Sequence, residues 1–260
     1  MKPRVCIITG YGINADEELA IAFGMVGAEP VRVHVQDLIE RRGAQLDGCR
    51  IVAFPGGFSF GDHLGSGKVF ATLFRRHLGP ALGTFIDQGG LVIGICNGFQ
   101  TLVKMGALPN RDGRARQEVS LIHNASGRFE DRWVRVSFEQ ESRCVWTRGL
   151  PDMDLPVRHG EGRFVADSPA DLVSFGREGL VAARYVSADS SPLAYPADPN
   201  GSDGHVAGIC DPTGRVFGLM PHPEAFMHPE NHPDWTLGGT TEGMGLRILA
   251  NGVQAAGGRE

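Results

Sequence analysis

Short apolar runs alternate with amphipathic segments over the first hundred residues, and this alternation restricts the fold more than any other feature. Each run has the length of a buried strand and is followed by glycine, proline or a helix-like pattern. The runs are VCIITG, VRVHV, IVAF and LVIGIC, at residues 5–10, 31–35, 51–54 and 91–96. Strands that alternate with helices form a parallel sheet covered on both faces. The sequence therefore predicts an α/β fold with an open, mostly parallel sheet.

The amphipathic segments between these runs predict the helices. The segment at residues 14–27 has apolar residues at helical spacing, with Asn14 as its expected N-cap and Gly27 as its stop. A second helix follows the third strand, and we expect it to break near Pro80 because proline removes a backbone donor. A third helix continues directly from the fourth strand at Asn97. Helices are therefore expected on both faces of the sheet.

From about residue 115 the pattern changes to short runs separated by turns. Apolar and polar residues alternate in VRVSF, as they do in a strand with one solvated face. Five such runs predict an antiparallel extension of the core: EVSLI, RWVRVSF, RFVA, LVAARYV and HVAGIC. No internal repeat and no change of composition divides the chain. We therefore expect a single domain over residues 1–260, in which residues 225–260 form a loop and a closing helix.

The composition restricts the class of protein. The chain carries 25 lysines and arginines against 30 aspartates and glutamates, and this net charge of −5 gives no electrostatic reason to expect nucleic acid as a partner. No apolar run approaches the roughly 18 residues that a membrane helix needs. The five cysteines are scattered and odd in number, which argues against a disulfide framework and a zinc site. With no signal-peptide pattern at its start, the sequence predicts a cytoplasmic protein with reduced thiols.

One cysteine stands where the fourth strand meets the third helix. The motif GICNG places Cys96 between Gly94 and Gly98, which is the form of the nucleophile elbow of hydrolases with cysteine in place of serine. A sharp turn there lifts the side chain out of the sheet, and the small neighbours relieve crowding of the main chain. The helix that follows favours a thiolate and can bind an oxyanion. We interpret Cys96 as a nucleophile and the other four cysteines as small buried hydrophobic residues.

A cysteine nucleophile needs a base, which is usually a histidine oriented by a third group. The segment MPHPEAF places His222 and Glu224 two residues apart, directly after the apolar run VFGLM. In an extended turn, residues two apart project to the same side, so Glu224 is able to hold the ring of His222 and favour its protonated form. A histidine–glutamate pair on the surface fits the same spacing equally well.

The two motifs together resemble a known family. GICNGFQ and PHPE are similar to the class I, triad-type glutamine amidotransferases, which have a flavodoxin-like sheet. Further motifs resemble the glutaminase subunits of phosphoribosylformylglycinamidine synthases, which act in purine biosynthesis. These motifs occur in the order expected for that branch: PGGFSFGDHLGSGK, NASGRFEDRWV, HGEGR, AYPADPNGS and GLMPHPE.

The resemblance implies a reaction and a set of site residues. Cys96 would attack the side-chain amide of glutamine, with His222 as its acid and base and Glu224 as the group that orients His222. The backbone N–H groups of Asn97 and Gly57 would bind the oxyanion. The residues expected to contact glutamine are Gly56, Gln100, Asn124, Ser126 and Phe129. The resemblance implies no cofactor and no metal in this chain.

The resemblance also implies a partner. Converting an amide to an amidine requires activation of the acceptor, and the sequence shows no nucleotide-binding motif that serves this purpose. We therefore expect ATP and Mg²⁺ to be used by a large ATP-dependent synthetase subunit. That subunit would receive ammonia from this chain and convert formylglycinamide ribonucleotide to formylglycinamidine ribonucleotide. Whether a small accessory subunit takes part, and in what stoichiometry, stays open.

Two other classes of function are compatible with parts of the sequence. The turn GYGINA, at residues 10–15, has the form G-x-G-x-x-A between a strand and a helix, with Asp37 after the second strand. This pattern would suit an oxidoreductase that uses a nicotinamide or flavin cofactor, but it leaves the elbow and PHPE without a role. The other alternative is a non-catalytic scaffold of the same fold, in which the three residues of the triad serve no reaction.

Overall fold

The computed structural model describes residues 2–188, 192–238 and 242–257. Within these residues nine strands form one sheet, in the order β2-β1-β3-β4-β11-β10-β9-β6-β7, and β5 pairs with β8. The strands are β1 Arg4–Thr9, β2 Glu29–His34, β3 Ile51–Phe54, β4 Leu91–Ile95, β5 Val119–Ile122, β6 Glu130–Phe138, β7 Met153–His159, β8 Arg163–Ala166, β9 Val181–Val186, β10 Val206–Cys210 and β11 Val216–Leu219. The first five strands of the sheet run parallel, and the remaining pairs are antiparallel. The predicted α/β class with an antiparallel extension is confirmed.

The helices lie on both faces of the sheet. They are α1 Asp16–Met25, α2 Val35–Glu40, α3 Lys68–Asp87, α4 Asn97–Met105, α5 Pro169–Arg177 and α6 Leu246–Gly257. The crossover from β1 to β2 and the crossover from β3 to β4 run in opposite directions along the sheet. Because crossovers between parallel strands are right-handed, α1 and α3 lie on opposite faces. Helix α6 packs against α1, and α4 packs against α3. The buried apolar side chains of the strands fill both layers between sheet and helices.

Two predictions about the helices are wrong. Helix α3 continues through Pro80 without a break. Pro80 is exposed, and so is Arg76, whose carbonyl loses its partner, so the missing hydrogen bond faces water. Leu78 and Leu82, on the opposite side, are buried in the core and hold the helix in place. At the start of α1, Ala15 occupies the N-cap position and no side chain caps the helix, so Asn14 does not have the role expected of it.

Four parallel strands end at the same edge of the sheet and position everything that follows them. Strands β1, β3, β4 and β11 are successive neighbours, so the loops at their carboxyl ends leave side by side. The register places Phe54 of β3 beside Gly94 of β4, and Ile95 of β4 beside Leu219 of β11. The segments PGGF, CNGF and MPHPE therefore begin next to one another.

The connection from β4 to α4 leaves no room for side chains on its glycines. A Cβ added to Gly98 would lie 1.9 Å from the carbonyl oxygen of Phe54, and one added to Gly94 would lie 2.7 Å from the backbone of Gly98. These contacts are far shorter than van der Waals distances, and the atoms they meet belong to the buried backbone of β3 and of α4. Helix α4 can therefore lie directly on β3 only with glycine at position 98.

We predict that Gly98→Ala lowers the free energy of unfolding by about 2–3 kcal/mol, the size expected for overpacking against a backbone that cannot move away. Gly83→Ala is the matched control, because Gly83 is also helical but has no atom within 4 Å of its added Cβ. This control should instead raise the stability by about 0.5–1 kcal/mol, since alanine is the better helix former. Urea unfolding measures both, and equal effects of the two substitutions would contradict the close packing.

Candidate active site

Cys96 occupies a strained turn between β4 and α4. Its backbone has φ 50° and ψ −105°, a left-handed φ that is unfavourable for residues other than glycine. Two hydrogen bonds hold this conformation: the N–H of Cys96 donates to the carbonyl of Leu219 over 2.8 Å, and its own carbonyl accepts from the N–H of Gln100 over 3.0 Å. The thiol lies 3.7 Å from the carbonyl oxygen of Arg158 and is almost completely buried. The sulfur thus lies at the N-terminal end of α4, whose dipole favours a negative charge.

His222 and Glu224 form a buried pair at the end of β11. Nδ1 of His222 lies 2.6 Å from Oε1 of Glu224, and the side chains are 5% and 0% exposed. The backbone N–H of His222 donates to the carbonyl of Pro156 over 2.8 Å, which fixes the turn against β7. The alternative of a surface pair is therefore wrong. The other ring nitrogen, Nε2, is buried and makes no hydrogen bond within the described part of the chain, so it is available to a reactant.

The charges around His222 decide its protonation. Burial by itself lowers the pKa of this ring, but the carboxylate of Glu224 and the sulfur of Cys96 outweigh burial and raise the pKa from 6.5 to about 10. His222 is therefore protonated at neutral pH. The neighbouring ring of His159 behaves in the opposite way, since burial and the positive charge of His222 lower its pKa to about 3. The site thus holds one charged and one neutral imidazole.

The loop after β3 supplies the other side of the site. A Cβ on Gly56 would lie 2.7 Å from Cε1 of His222, so this glycine lets the imidazole rest on the backbone. Gly57 has φ 150°, and a Cβ there would lie 2.7 Å from the carbonyl oxygen of Gly12. Within the described residues, the N–H groups of Gly57 and Asn97 have no backbone acceptor. The roles of both groups as oxyanion donors stay a prediction that this arrangement supports.

A cavity of about 300 Å³ joins these elements. The residues that line it are Asn14, Ala15, Glu18, Gly57, Phe58, Cys96, Phe129, Arg158 and His222. Among the residues expected to contact glutamine, Phe129 lies on this wall, where its ring is 6.1 Å from that of Phe58. The sequence did not single out Glu18 or Arg158, which approach each other to 3.4 Å at the rim. The position of Arg158 directly before HGEGR was the signal that could have found it.

Besides Gly56, three of the residues expected to contact glutamine do not line this cavity. The amide of Gln100 donates to the carbonyl of Glu161 over 2.6 Å and accepts from Asn97. The amide of Asn124 is bonded to the carbonyls of Arg128 and His159, and its oxygen accepts from the N–H of Gly162. These two side chains therefore hold loops together.

Ser126, the third of these residues, donates to Glu130 over 2.6 Å. It lines a separate cavity of about 480 Å³ together with Arg128 and Tyr195. Arg132, near this cavity, is also engaged within the chain: it pairs with Glu130 and donates to the hydroxyl of Tyr195.

The GYGINA turn has a structural role. The N–H of Phe58 donates to the carbonyl of Gly12, that of Phe60 to Tyr11, and that of Asn14 to Gly56. The turn is thus bonded along its length to the loop after β3. The first turn of α1 contains three acidic residues, Asp16, Glu17 and Glu18, which would repel a pyrophosphate. The geometry therefore gives no support to the cofactor-binding alternative.

The described residues contain neither a membrane-spanning helix nor a cluster of metal ligands. None of the helices in this part of the chain is long and apolar enough to span a bilayer. No group of three or more histidine, cysteine, aspartate or glutamate side chains there is arranged to hold a metal ion.

A cysteine elbow beside a histidine held by a glutamate, at the carboxyl edge of an open α/β sheet, has the arrangement of a triad-type glutamine amidotransferase. The protein-family model of the CobB/CobQ-like glutamine amidotransferase domain matches residues 2–254 of this chain. The chain belongs to this family and, within it, to the family of the phosphoribosylformylglycinamidine synthase subunit PurQ.

Individual relatives agree with this assignment. The subunit PurQ of Dehalococcoides mccartyi is 42% identical over 261 residues and is covered to 98%, as is this chain. PurQ of Methanococcus maripaludis is 41% identical over 239 residues, which cover 90% of this chain and 86% of the relative. Among solved structures, that of PurLQS from Thermotoga maritima contains a chain with a TM-score of 0.73 and 28% identity, with 98% of this chain and 99% of that chain covered.

We predict that Glu224→Gln lowers the pKa of His222 from about 10 towards its ordinary value of 6.5, because the amide keeps the contact but removes the charge. NMR titration of the imidazoles measures this shift. Glu230→Gln, an exposed position six residues further along, is the control and should leave His222 unchanged.

The same substitution should change how stability depends on pH. A histidine whose pKa is raised by folding stabilises the folded state fully below about pH 6.5, and this contribution is lost as the pH rises through about 10. The difference in free energy of unfolding between wild type and Glu224→Gln should therefore be largest at or below pH 6.5 and disappear at alkaline pH. A difference in stability that grows with pH would contradict the raised pKa of His222 in the folded state.

Proposed function

We propose that this chain is the glutaminase subunit of a phosphoribosylformylglycinamidine synthase. The observation that carries the proposal is the buried arrangement of Cys96, His222 and Glu224 in a chain that belongs to the PurQ family. The reaction is hydrolysis of glutamine to glutamate and ammonia through a thioester on Cys96. The ammonia is used for the amidination of formylglycinamide ribonucleotide in purine biosynthesis.

The first half of the reaction forms the thioester. The thiolate of Cys96, whose proton is held by His222, bonds to the side-chain carbonyl carbon of glutamine, and the carbonyl oxygen becomes an oxyanion. His222 is protonated at neutral pH because of its raised pKa, and its Nε2 is unbonded within the described chain. It donates this proton to the amide nitrogen as the carbon–nitrogen bond breaks, so that ammonia leaves as a neutral molecule.

The second half releases glutamate. After donating its proton, His222 is neutral, and it accepts a proton from a water molecule that attacks the thioester. The carbon–sulfur bond then breaks, glutamate leaves, and the protonated His222 is restored beside the sulfur. Glu224 holds the ring through Nδ1 in both steps, which keeps Nε2 directed towards the reacting atoms.

The oxyanion that forms in both steps needs donors of hydrogen bonds. The N–H groups of Gly57 and Asn97 supply them in this proposal, and each such donor is typically worth about 3 kcal/mol of transition-state stabilisation. Neither group is engaged by a backbone acceptor in the described structure, which supports their availability. Phe58 and Phe129 also line the cavity, and in this proposal their rings shield the bound side chain of glutamine from water.

The partner is a large synthetase subunit that uses ATP and Mg²⁺ to activate the acceptor amide. Support comes from the solved structure of PurLQS, which contains a chain similar to this one, and from the designation of the relatives as subunits. Ammonia that escapes to water is protonated and lost as a nucleophile, so it has to pass to the partner without exposure to solvent. We also propose that the chain acts in the cytoplasm as a single domain over residues 1–260, consistent with its five unpaired cysteines.

We expect Cys96→Ala to abolish the release of glutamate from glutamine and to leave the fold intact, because alanine removes only the sulfur. Release by the wild type should be low for the isolated chain and should rise when a PurL-type synthetase, ATP, Mg²⁺ and formylglycinamide ribonucleotide are added. Cys210→Ala is the control, because Cys210 is also buried but lies in β10, away from the cavity. Equal release with and without the partner would refute the coupling, and release that survives Cys96→Ala would refute the nucleophile.

A further inference from the structure

The loop that follows Gly57 contains an unusual run of backbone conformations. Phe60, Gly61 and Asp62 have consecutive φ values of 54°, 69° and 54°, all in the left-handed region. Two of the three are not glycine, and residues with a Cβ keep this conformation only where their surroundings impose it. Asp62 is half-buried, and the contacts of its carboxylate show what holds the loop.

The carboxylate of Asp62 bonds both to its own loop and to the helix that carries the nucleophile. One oxygen accepts from the hydroxyl of Ser66 over 2.8 Å. The other oxygen accepts from Nδ2 of Asn97 over 3.2 Å. Asn97 directly follows Cys96, and its N–H is one of the two oxyanion donors proposed above.

The rest of the same face of α4 is bonded to neighbouring loops. Lys104, two turns after Asn97, donates to the carbonyl of Ser66. Gln100, one turn after Asn97, donates to the carbonyl of Glu161, and the carboxylate of Glu161 accepts from the N–H of Ser66. The loop at residues 58–67 is therefore attached to α4 at both ends of the helix and to the HGEGR segment between them.

The two proposed oxyanion donors come from different elements, and their separation depends on this attachment. Gly57 leads into the loop at residues 58–67, whereas Asn97 begins α4. Transition-state stabilisation requires both donors to lie about 3 Å from the developing oxyanion, and small displacements cost rate. Of the described side chains in this loop, Asp62 is the one that bonds to the first residue of α4.

We propose that Asp62 is a positioning residue of the glutaminase centre, and that its bond to the side chain of Asn97 fixes the two oxyanion donors relative to each other. The inference rests on the proposed glutaminase function. It places Asp62 outside the set of groups that touch glutamine, so its effect on the reaction passes through Asn97. Because the oxyanion develops during the reaction and is absent from the bound substrate, loss of this bond should lower kcat and leave KM almost unchanged.

The kinetic test uses glutamate release by the complex with the synthetase. We expect Asp62→Ala to lower kcat about 30-fold and Asp62→Asn about fivefold, with KM within about threefold, because asparagine tolerates the left-handed backbone and keeps one acceptor oxygen. Asp87→Asn is the matched control, since this exposed carboxylate ends α3 at the opposite edge of the sheet. A rise in KM without a fall in kcat would overturn the proposal.

A double-mutant cycle separates positioning from a general loss of structure. Asn97→Ala removes the same bond from its other end and keeps the backbone N–H. If Asp62 acts through Asn97, the variant that carries both Asp62→Ala and Asn97→Ala should be no slower than the slower single variant. Effects on kcat that multiply would show that the two residues act independently, and this result would overturn the proposal.

A second measurement needs no catalytic activity. Amide hydrogen exchange should become faster in Asp62→Asn, both in the loop at residues 57–67 and in the first turn of α4, and stay unchanged in Asp87→Asn. Unchanged exchange in α4 would overturn the attachment even if the kinetic data were unclear. If the wild type releases no glutamate but exchange responds as expected, the proposed function fails while the attachment by Asp62 stands.

Discussion

The parallel pairing of β3, β4 and β11 is the constraint on which the site depends. Each strand contributes one segment at its carboxyl end: the loop with Gly57, the turn with Cys96 and the turn with His222. Neighbouring strands lie about 4.8 Å apart, so three adjacent strand ends bring these groups within reach of one small substrate. A shift of β4 by one residue relative to its neighbours would exchange the faces of its side chains and displace Cys96 from His222. The register of this buried sheet therefore also determines the chemistry.

The position of His222 and Glu224 at the end of β11 buries both side chains beside each other, and the charge of Glu224 keeps His222 protonated. A buried charge is tolerated only when it is paired and hydrogen-bonded, and His222 and Glu224 satisfy this condition over 2.6 Å. The Glu224 carboxylate and the Cys96 sulfur raise the pKa of His222, although burial opposes this. In the proposed reaction, the proton needed by the departing ammonia is thus already in place before glutamine binds.

The sequence allowed prediction of the parts of this site that depend on local order, and it failed where distant segments meet. The elbow around Cys96 and the spacing of His222 and Glu224 are visible in a few residues. In contrast, β7 contains Pro156 and was not predicted as a strand, although the carbonyl of Pro156 accepts the hydrogen bond that fixes His222. The sequence did not reveal that Gln100 and Asn124 are bonded to other loops of the chain, because their partners lie 61 and 35 residues away along the chain.

The motifs that characterise this branch of the family thus divide into two physical kinds. One kind carries reacting groups at strand ends, and the other kind consists of loops that bond to one another around them. GYGINA bonds to PGGF through backbone groups, and the GDHLGSGK segment bonds to α4 through Asp62 and Lys104. A strained turn such as that of Cys96 persists only when the surrounding structure over-determines it. The second kind of motif supplies this support, and on our proposal for Asp62 a residue that does not contact glutamine determines how fast glutamine is hydrolysed.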